Sequence, residues 1–403
     1  MASTDRPEGQ AAPEDVFAWI EQVLQNGDAG AAFEELVERF RREKQYWHLF
    51  DARLMRKRLE LGLPLVSHRA LGDLPKEVRQ PYQDAYIEAA REVGELFLAD
   101  GNIPRAWPYF QAVGDAKPVV QALEAFDVPE ADTTEAQDLL SSTIQIAYQE
   151  AVHPRKGFEL ILKHYGICRG ITMFEGYPQQ EGRDECLRLL VRTLHGDLVN
   201  GLKRAISSVE GKAPESHSVA ELIAGRDWLF ENNAQHTDTS HIASVLRLST
   251  DLDDKDLLRL AVEMADYGSR LGPMFHYEEE PPFDRAFEDR GLYLRALSGE
   301  DVDRAVSHFE QKVADAERYQ GGSRPAEMLV KLLTRVGRYD QAIKALRRYL
   351  PDVDPEDPSC PSVLQLCQMA GDFDQLKQVA RERSDLLSYA AALLQSARPI
   401  SRA

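Results

Sequence analysis

The stretch EVGELFLADGNIPRAWPYFQAVGDAKP, residues 92–118, predicts the fold of this chain. It is typical of two helices joined by a short turn, because Gly101-Asn102 offers a left-handed residue followed by a side chain that can cap the next helix. Small residues let the two helices approach, aromatic rings fill the gap between them, and a proline ends the second helix. The residues that set this spacing are Gly94, Phe97, Gly101, Ala106, Phe110 and Pro118.

The same turn recurs towards both ends of the chain. In each copy a glycine is followed, five and nine residues later, by small or apolar side chains. These copies are Gly27 with Ala32 and Leu36, Gly101 with Ala106 and Phe110, Gly337 with Ala342 and Leu346, and Gly371 with Leu376 and Ala380. A further copy, Gly299 with Ala305 and Phe309, has one extra residue in its turn. Gly337 and Gly371 are 34 residues apart, which indicates a structural repeat.

This pattern resembles the tetratricopeptide repeat over about residues 14–126 and 291–395. The resemblance implies an all-α fold, an α-solenoid of antiparallel helix pairs. It also implies binding of partner proteins, because stacked helix pairs leave one concave side free. Residues 127–290 keep a helical pattern but lose the repeat, so we expect an irregular helical middle region there. Residues 1–13 and 396–403 are expected to be tails, the first of them disordered.

Composition and charge narrow the class of protein. The chain has 43% hydrophobic and 29% charged residues, which is typical of a folded soluble protein. Its formal net charge of −19 disfavours binding to DNA, RNA or an anionic membrane. The four cysteines are never spaced as a zinc-binding pair, which favours a reducing compartment. Without a secretory signal or an apolar run of about 20 residues, we expect a cytoplasmic protein that does not cross a membrane.

The middle region is predicted from its capping residues and its breaks. Asp132-Thr133 is predicted to cap one helix and Pro154 to begin the next, which would end near Gly166. The glycine-rich and proline-rich residues 170–182 are predicted to form a loop, as are residues 211–218 and the acidic residues 277–284.

Histidines are concentrated in this region, which holds seven of the ten. Imidazole and carboxylate groups together are typical ligands of zinc, iron and manganese. The candidate ligands of such a divalent metal are His153, His236, Asp238, His241 and His276. His236 and His241 are five residues apart, however, whereas two ligands on one helix face are usually four apart. The alternative is that Asp238 simply caps a helix that contains His241, with His236 in the preceding loop.

A basic stretch interrupts the acidic background between Arg39 and Arg58. Its arginines could dock an acidic partner, and the candidates are Arg41, Arg42, Arg53, Arg56 and Arg58. The interleaved aromatic residues Tyr46, Trp47 and Phe50 would also suit stacking, although aromatic residues at helical spacing are more often core residues. The alternative is a solvated helix face whose arginines pair with glutamates of the same stretch.

These observations leave three hypotheses for function. The first is a scaffold or adaptor that binds a partner peptide or helix on a concave solenoid surface, without catalysis and without a cofactor. The second is a metal-dependent or ligand-binding protein with its site among the middle-region histidines. The third is a helical regulatory protein that acts through the loops at residues 170–182 and 277–284.

Overall fold

The computed structural model describes residues 14–25, 27–65, 74–128, 133–276, 278–319, 322–350 and 360–397. Every regular element in these ranges is a helix, and extended backbone pairs there only at an isolated antiparallel bridge between Glu278 and Arg285. The prediction of an all-α fold is therefore confirmed. The predicted tail at residues 1–13 lies outside the described residues, as do Asp132, residue 277 and residues 398–403.

The chain divides into two compact units, Met1–Leu160 and Ile161–Ala403. This division lies inside the predicted middle region of residues 127–290. None of the described helices combines the length and the apolar character needed to cross a membrane.

The first unit is built from short helices around one apolar core. Its helices are α1 (Glu14–Gln25), α2 (Ala29–Arg42), α3 (Tyr46–Glu60), α4 (Lys76–Ala99), α5 (Ile103–Ala112), α6 (Lys117–Ala125) and α7 (Thr134–Ile144), with a π-helical turn at Gln145–Gln149. The next helix, α8 (Pro154–Glu175), begins in this unit. The core of the first unit contains wholly buried Val37, Leu49, Val93, Ala106 and Val119.

The second unit contains the longest helix described and the helices that follow it. They are α9 (Arg183–Glu210), α10 (Val219–Ile223), α11 (Thr239–Ser249), α12 (Lys255–Ser269), α13 (Ala286–Ser298), α14 (Val302–Tyr319), α15 (Arg324–Arg335), α16 (Tyr339–Tyr349), α17 (Val363–Ala370), α18 (Phe373–Glu382) and α19 (Leu386–Ala397). Two 3₁₀ segments, Asp227–Asn233 and Pro273–Phe275, flank α11 and α12. A core cluster runs from α13 through α19 and includes wholly buried Tyr293, Phe309, Val330, Ile343 and Leu366.

The predicted turns are confirmed. All five turn glycines have positive φ angles, from +70° at Gly371 to +96° at Gly299, which L-residues with side chains rarely adopt. Three of the turns also supply the predicted cap, because Asp28, Asn102 and Asp372 each accept a hydrogen bond from a backbone N–H of the next helix.

The hairpin of α4 and α5 shows why the predicted spacing of Gly94 and Phe110 allows two helices to pack closely. A β-carbon at Gly94 would lie 2.6 Å from Cε2 of Phe110, so the phenyl ring fills the space that a side chain would need. Phe110 and Ala106 are almost wholly buried on α5. The Phe97 ring of α4 meets the Tyr46 ring of α3 edge-on, with centroids 4.9 Å apart.

In the middle region, the observed helix starts and loops agree with the predicted ones except at one loop. Pro154 begins α8, and the helical geometry is interrupted at Gly166, where φ is +78°. The loop predicted at residues 170–182 is wrong in its first half, because α8 continues to Glu175. Ile171 and Phe174 are buried there, and burial of their apolar side chains stabilises the helix through a glycine-containing stretch.

The Gly94 contact can be tested by adding one methyl group. We expect Gly94→Ala to lower the free energy of unfolding by about 1–3 kcal/mol, because Phe110 must move to accept the new β-carbon. Urea unfolding measures this change. Gly30→Ala is the matched control, because a β-carbon at Gly30 of α2 meets its nearest atom at an ordinary 3.6 Å. Equal stability of the two variants would contradict the close contact.

Candidate functional site

The residues predicted as metal ligands have contacts of their own. His153 Nε2 lies 2.7 Å from Glu124 Oε1, and Arg155 donates to the same carboxylate oxygen at 2.6 Å. His276 Nε2 lies 3.0 Å from the carbonyl oxygen of Leu271, so this nitrogen carries the ring proton. Both histidines therefore form hydrogen bonds that stabilise local structure.

Asp238 and His241 lie in one capped helix start. Asp238 Oδ1 accepts hydrogen bonds from the backbone N–H of Ser240 at 2.9 Å and from its hydroxyl at 2.7 Å. These bonds, together with a backbone hydrogen bond from His241, hold the pKa of Asp238 below its ordinary value. Asp238 is therefore the N-cap of α11. Within the described ranges, no group of three or more histidine, cysteine, aspartate or glutamate side chains is placed to hold a metal ion.

His236, the remaining histidine of the predicted set, precedes α11 and contacts Tyr267 of α12. Its backbone N–H donates to the Tyr267 hydroxyl at 2.9 Å, and its Nδ1 lies 2.9 Å from the same oxygen. Burial lowers the pKa of His236 and raises the pKa of Tyr267 to about 12, so both side chains are neutral at pH 7. A β-carbon at Gly201 of α9 would lie 1.9 Å from the His236 carbonyl oxygen. The α9 backbone is therefore in direct contact with this segment.

This contact predicts a large effect of Gly201→Ala. The new methyl group would push the His236 backbone away, so we expect a loss of about 1–3 kcal/mol in the free energy of unfolding. Gly196→Ala on the same helix meets no atom within 4 Å and should leave stability unchanged or raise it by up to about 1 kcal/mol. Chemical denaturation of both variants checks the difference. Retention of wild-type stability by Gly201→Ala would show that the two backbones do not touch.

A polar network around Glu263 of α12 was not predicted. His195 Nε2 lies 2.8 Å from Glu263 Oε2, and the backbone N–H of Val219 donates to that same oxygen at 2.9 Å. The Ser218 hydroxyl donates to Oε1 at 2.5 Å. Burial alone would raise the pKa of Glu263, but these hydrogen bonds outweigh it and the net effect lowers the pKa. Glu263 thus connects α9, α10 and α12.

One sequence signal could have revealed part of this network. Val191, His195 and Val199 follow one another at four-residue spacing, and both valines are buried. A histidine at a position of this apolar stripe needs a buried polar partner, but nothing in the sequence identifies Glu263 as that partner.

A second ionic cluster surrounds Asp289 of α13, whose side chain is wholly buried. His308 Nε2 lies 2.8 Å from Oδ1, and Lys312 Nζ lies 3.0 Å from Oδ2. The backbone N–H of Arg285 also donates to Oδ2 at 2.9 Å. The carboxylate therefore has cationic or N–H partners on both oxygens, as a buried charge requires.

In the first unit, two arginines of the basic stretch pair with one carboxylate. Arg53 Nε donates to Glu92 Oε2 at 2.9 Å and its Nη2 donates to Oε1 at 3.0 Å, while Arg41 also donates to Glu92. Burial alone would raise the pKa of Glu92, but the hydrogen bonds from Arg53 and Arg41 outweigh it and the net effect lowers the pKa. Glu92 therefore links α2, α3 and α4.

Two further arginines of this stretch also have contacts inside the first unit. Arg56 of α3 pairs with Glu34 of α2 and lies 3.4 Å from Glu60 on its own helix. Arg58 donates to the carbonyl oxygen of Pro64 at 3.0 Å. Binding of a partner through these arginines stays a prediction.

Arg42 differs from the other four. It is exposed, and no carboxylate in the described part of the chain pairs with it.

The Glu92 pair predicts a pH-dependent effect. We expect Glu92→Gln to lower the free energy of unfolding by about 1–3 kcal/mol at pH 7, because two arginines lose a charged partner. The pKa of Glu92 is lowered on folding, so its contribution is present above the ordinary value of 4.5 and is lost as the pH falls through the lowered value. Denaturation curves from pH 7 to below 4.5 should show variant and wild type converging. A difference independent of pH would refute the charged pair.

Half-buried aromatic side chains form what we call the aromatic surface, which consists of Trp47, Phe50, Tyr86 and Tyr109 on α3, α4 and α5. The Phe50 ring packs edge-on against Tyr86 and Tyr109, with centroids 5.3 Å and 5.2 Å away. The Arg105 guanidinium lies 5.8 Å from the Trp47 ring centre. The four aromatic side chains are each partly exposed, and the exposed Arg105 lies beside Trp47.

Comparisons with known proteins add no identification, because no family model, no curated protein and no solved structure matches the chain.

Proposed function

We propose that this chain is a scaffold or adaptor of tetratricopeptide-like helix pairs that binds a segment of a partner protein and catalyses no reaction. In this proposal the antiparallel helix pairs stack as an α-solenoid, which buries each apolar face against its neighbours and leaves one curved side for a ligand. The repeated glycine turns and the close α4–α5 contact at Gly94 support this arrangement.

The aromatic surface is the observation that carries the proposal. Tryptophan, tyrosine and arginine are enriched among the residues that contribute most of the binding energy of protein interfaces, where the partner excludes water from them. Trp47, Phe50 and Tyr109 are held by packing against the core of the first unit, so little side-chain freedom is lost when they bind. A preformed surface of this kind favours binding of a peptide or helix.

Arg105 suggests the chemistry of that partner. It is exposed, it lies over the Trp47 ring, and no carboxylate in the described ranges pairs with it. By contrast, the arginines at positions 41, 53 and 56 pair with glutamates of the first unit. Arg105 is therefore available for a charged hydrogen bond. The partner segment we propose carries apolar side chains for the aromatic surface and a carboxylate for Arg105.

Charge reversal at two exposed arginines tests the proposal. Wild-type protein, Arg105→Glu and Arg42→Glu would each be used to capture partners from a lysate of the source cells, with quantitative mass spectrometry of the bound proteins. We expect Arg105→Glu to reduce recovery of the specific partner at least tenfold, because the charge reversal brings two carboxylates into opposition, which costs several kcal/mol. Arg42→Glu should leave recovery unchanged.

The opposite pattern would reject the aromatic surface as the binding site. Loss of the partner with Arg42→Glu alone would place the binding site on the basic stretch between Arg39 and Arg58. Unchanged recovery with both variants would exclude both surfaces. Both side chains are exposed, so we expect both variants to fold. Thermal unfolding of each variant checks this.

A further inference from the structure

The helix α19 has an unusual composition for a helix with an exposed face. Its sequence, LLSYAAALLQSA, contains no aspartate, glutamate, lysine or arginine. Its leucines are nonetheless exposed: Leu386 and Leu387 by 82% each, Leu394 by 69% and Leu393 by 44%. Several leucines exposed to this degree on one helix form an apolar patch, and such a patch is typical of an interaction surface.

The exposed apolar residues of α19 lie on one side of the helix, and the exposed Gln395 and Ser396 lie outside this arc. At about 100° per residue, the leucines and the alanines between them cover an arc of about 160°. The residues of this arc are Leu386, Leu387, Ala390, Ala391, Leu393 and Leu394, and all of them are exposed. The opposite side packs on α18 through buried Ala392 and through Tyr389, whose hydroxyl accepts a hydrogen bond from Arg381 at 2.7 Å. The apolar stripe therefore faces away from its own unit.

The stripe is symmetric about its centre. Leu386 and Leu394 are each four residues from Ala390, and Leu387 and Leu393 are each three residues from it. If two such helices cross antiparallel at Ala390, the leucines of one helix meet the leucines of the other. Alanine at the centre allows the two backbones to approach closely. A surface that complements itself in this way is the requirement for a two-fold interface.

Charge does not oppose a second copy on this surface, although it does elsewhere on the molecule. The chain has a net charge of −19, so two copies repel each other over most of their surfaces. The stripe on α19 carries no charge, and contact there brings no like charges into opposition. A membrane-surface helix would instead present lysine or arginine beside its apolar stripe, and α19 has neither.

We propose that α19 is a homodimer interface in which two copies of the chain pack their apolar stripes antiparallel about Ala390. The area that one helix can bury is at the low end for stable interfaces, so the dimer dissociates on dilution. This proposal is independent of partner binding through the aromatic surface, because it concerns a different unit and a different measurement.

Sedimentation velocity of the full chain from about 1 µM to about 100 µM tests it. We expect wild-type protein to pass from monomer to dimer in this range. Leu387→Glu combined with Leu394→Glu places four carboxylates in the dimer contact and should raise the dissociation constant at least about 100-fold. Val209→Glu combined with Met274→Glu is the matched control, because these side chains are exposed by 65% and 67% in the same unit. The control should dimerise as wild type does.

Three results would overturn the proposal. One is a wild-type chain that stays monomeric throughout the range, and another is a dimer that the α19 variant does not weaken. The third is flotation of a monomeric wild type, but not of the α19 variant, with phosphatidylcholine and phosphatidylserine vesicles, which would assign the stripe to a membrane surface.

Cross-linking tests the antiparallel geometry separately. In a Cys168→Ser background, which removes the exposed native thiol, Ala390→Cys should give a covalent dimer with a short bis-maleimide, because the two thiols meet at the symmetry axis. Gln395→Cys lies about 140° further around the helix and should not cross-link. Equal yields from the two positions would exclude the crossing at Ala390.

Discussion

The first unit depends on the absence of a side chain at position 94. The Phe110 ring occupies the space next to the Gly94 Cα, and this contact sets how closely α4 and α5 approach. The turn between them is formed by Gly101, with φ of +73°, and by the Asn102 cap. Because this turn is short, it determines which residues of α4 and α5 lie opposite each other. The position of Tyr109 follows from the same geometry. Because Phe110 lies in the core, the adjacent Tyr109 lies at the edge of the core, where its ring contacts Phe50.

Much of this local structure could be predicted from the sequence. Turn glycines, helix caps and the small and apolar residues after them act over fewer than about ten residues, so their signals lie in one short window. Asp238 is an example: its position before a helical pattern indicates a cap, and the structure shows that cap. Gly170 shows the limit, because the buried neighbours Ile171 and Phe174 stabilise a helix where composition indicates a loop.

The polar contacts could not be predicted, because they join residues distant in the chain. Arg53 and Glu92 are 39 positions apart, and His195 and Glu263 are 68 apart. A helical pattern shows which face of each helix is polar but not which neighbouring helix that face meets. The arginines of the basic stretch illustrate this limit: their density indicates a binding surface, whereas Arg41 and Arg53 pair with Glu92 of a helix that the stretch does not contain.

The acidic residues 278–284 before α13 also form polar contacts that the sequence does not reveal. Its sequence indicates a loop, since charged residues and prolines are typical of solvated turns. Yet Glu279 pairs with buried Arg290, and Asp284 pairs with Lys312, which also bonds to buried Asp289. Removing Lys312 would leave buried Asp289 with only the His308 ring and the Arg285 backbone N–H as partners, which destabilises the folded state. The same carboxylates that make the segment appear solvated are therefore the groups that attach it to α13 and α14.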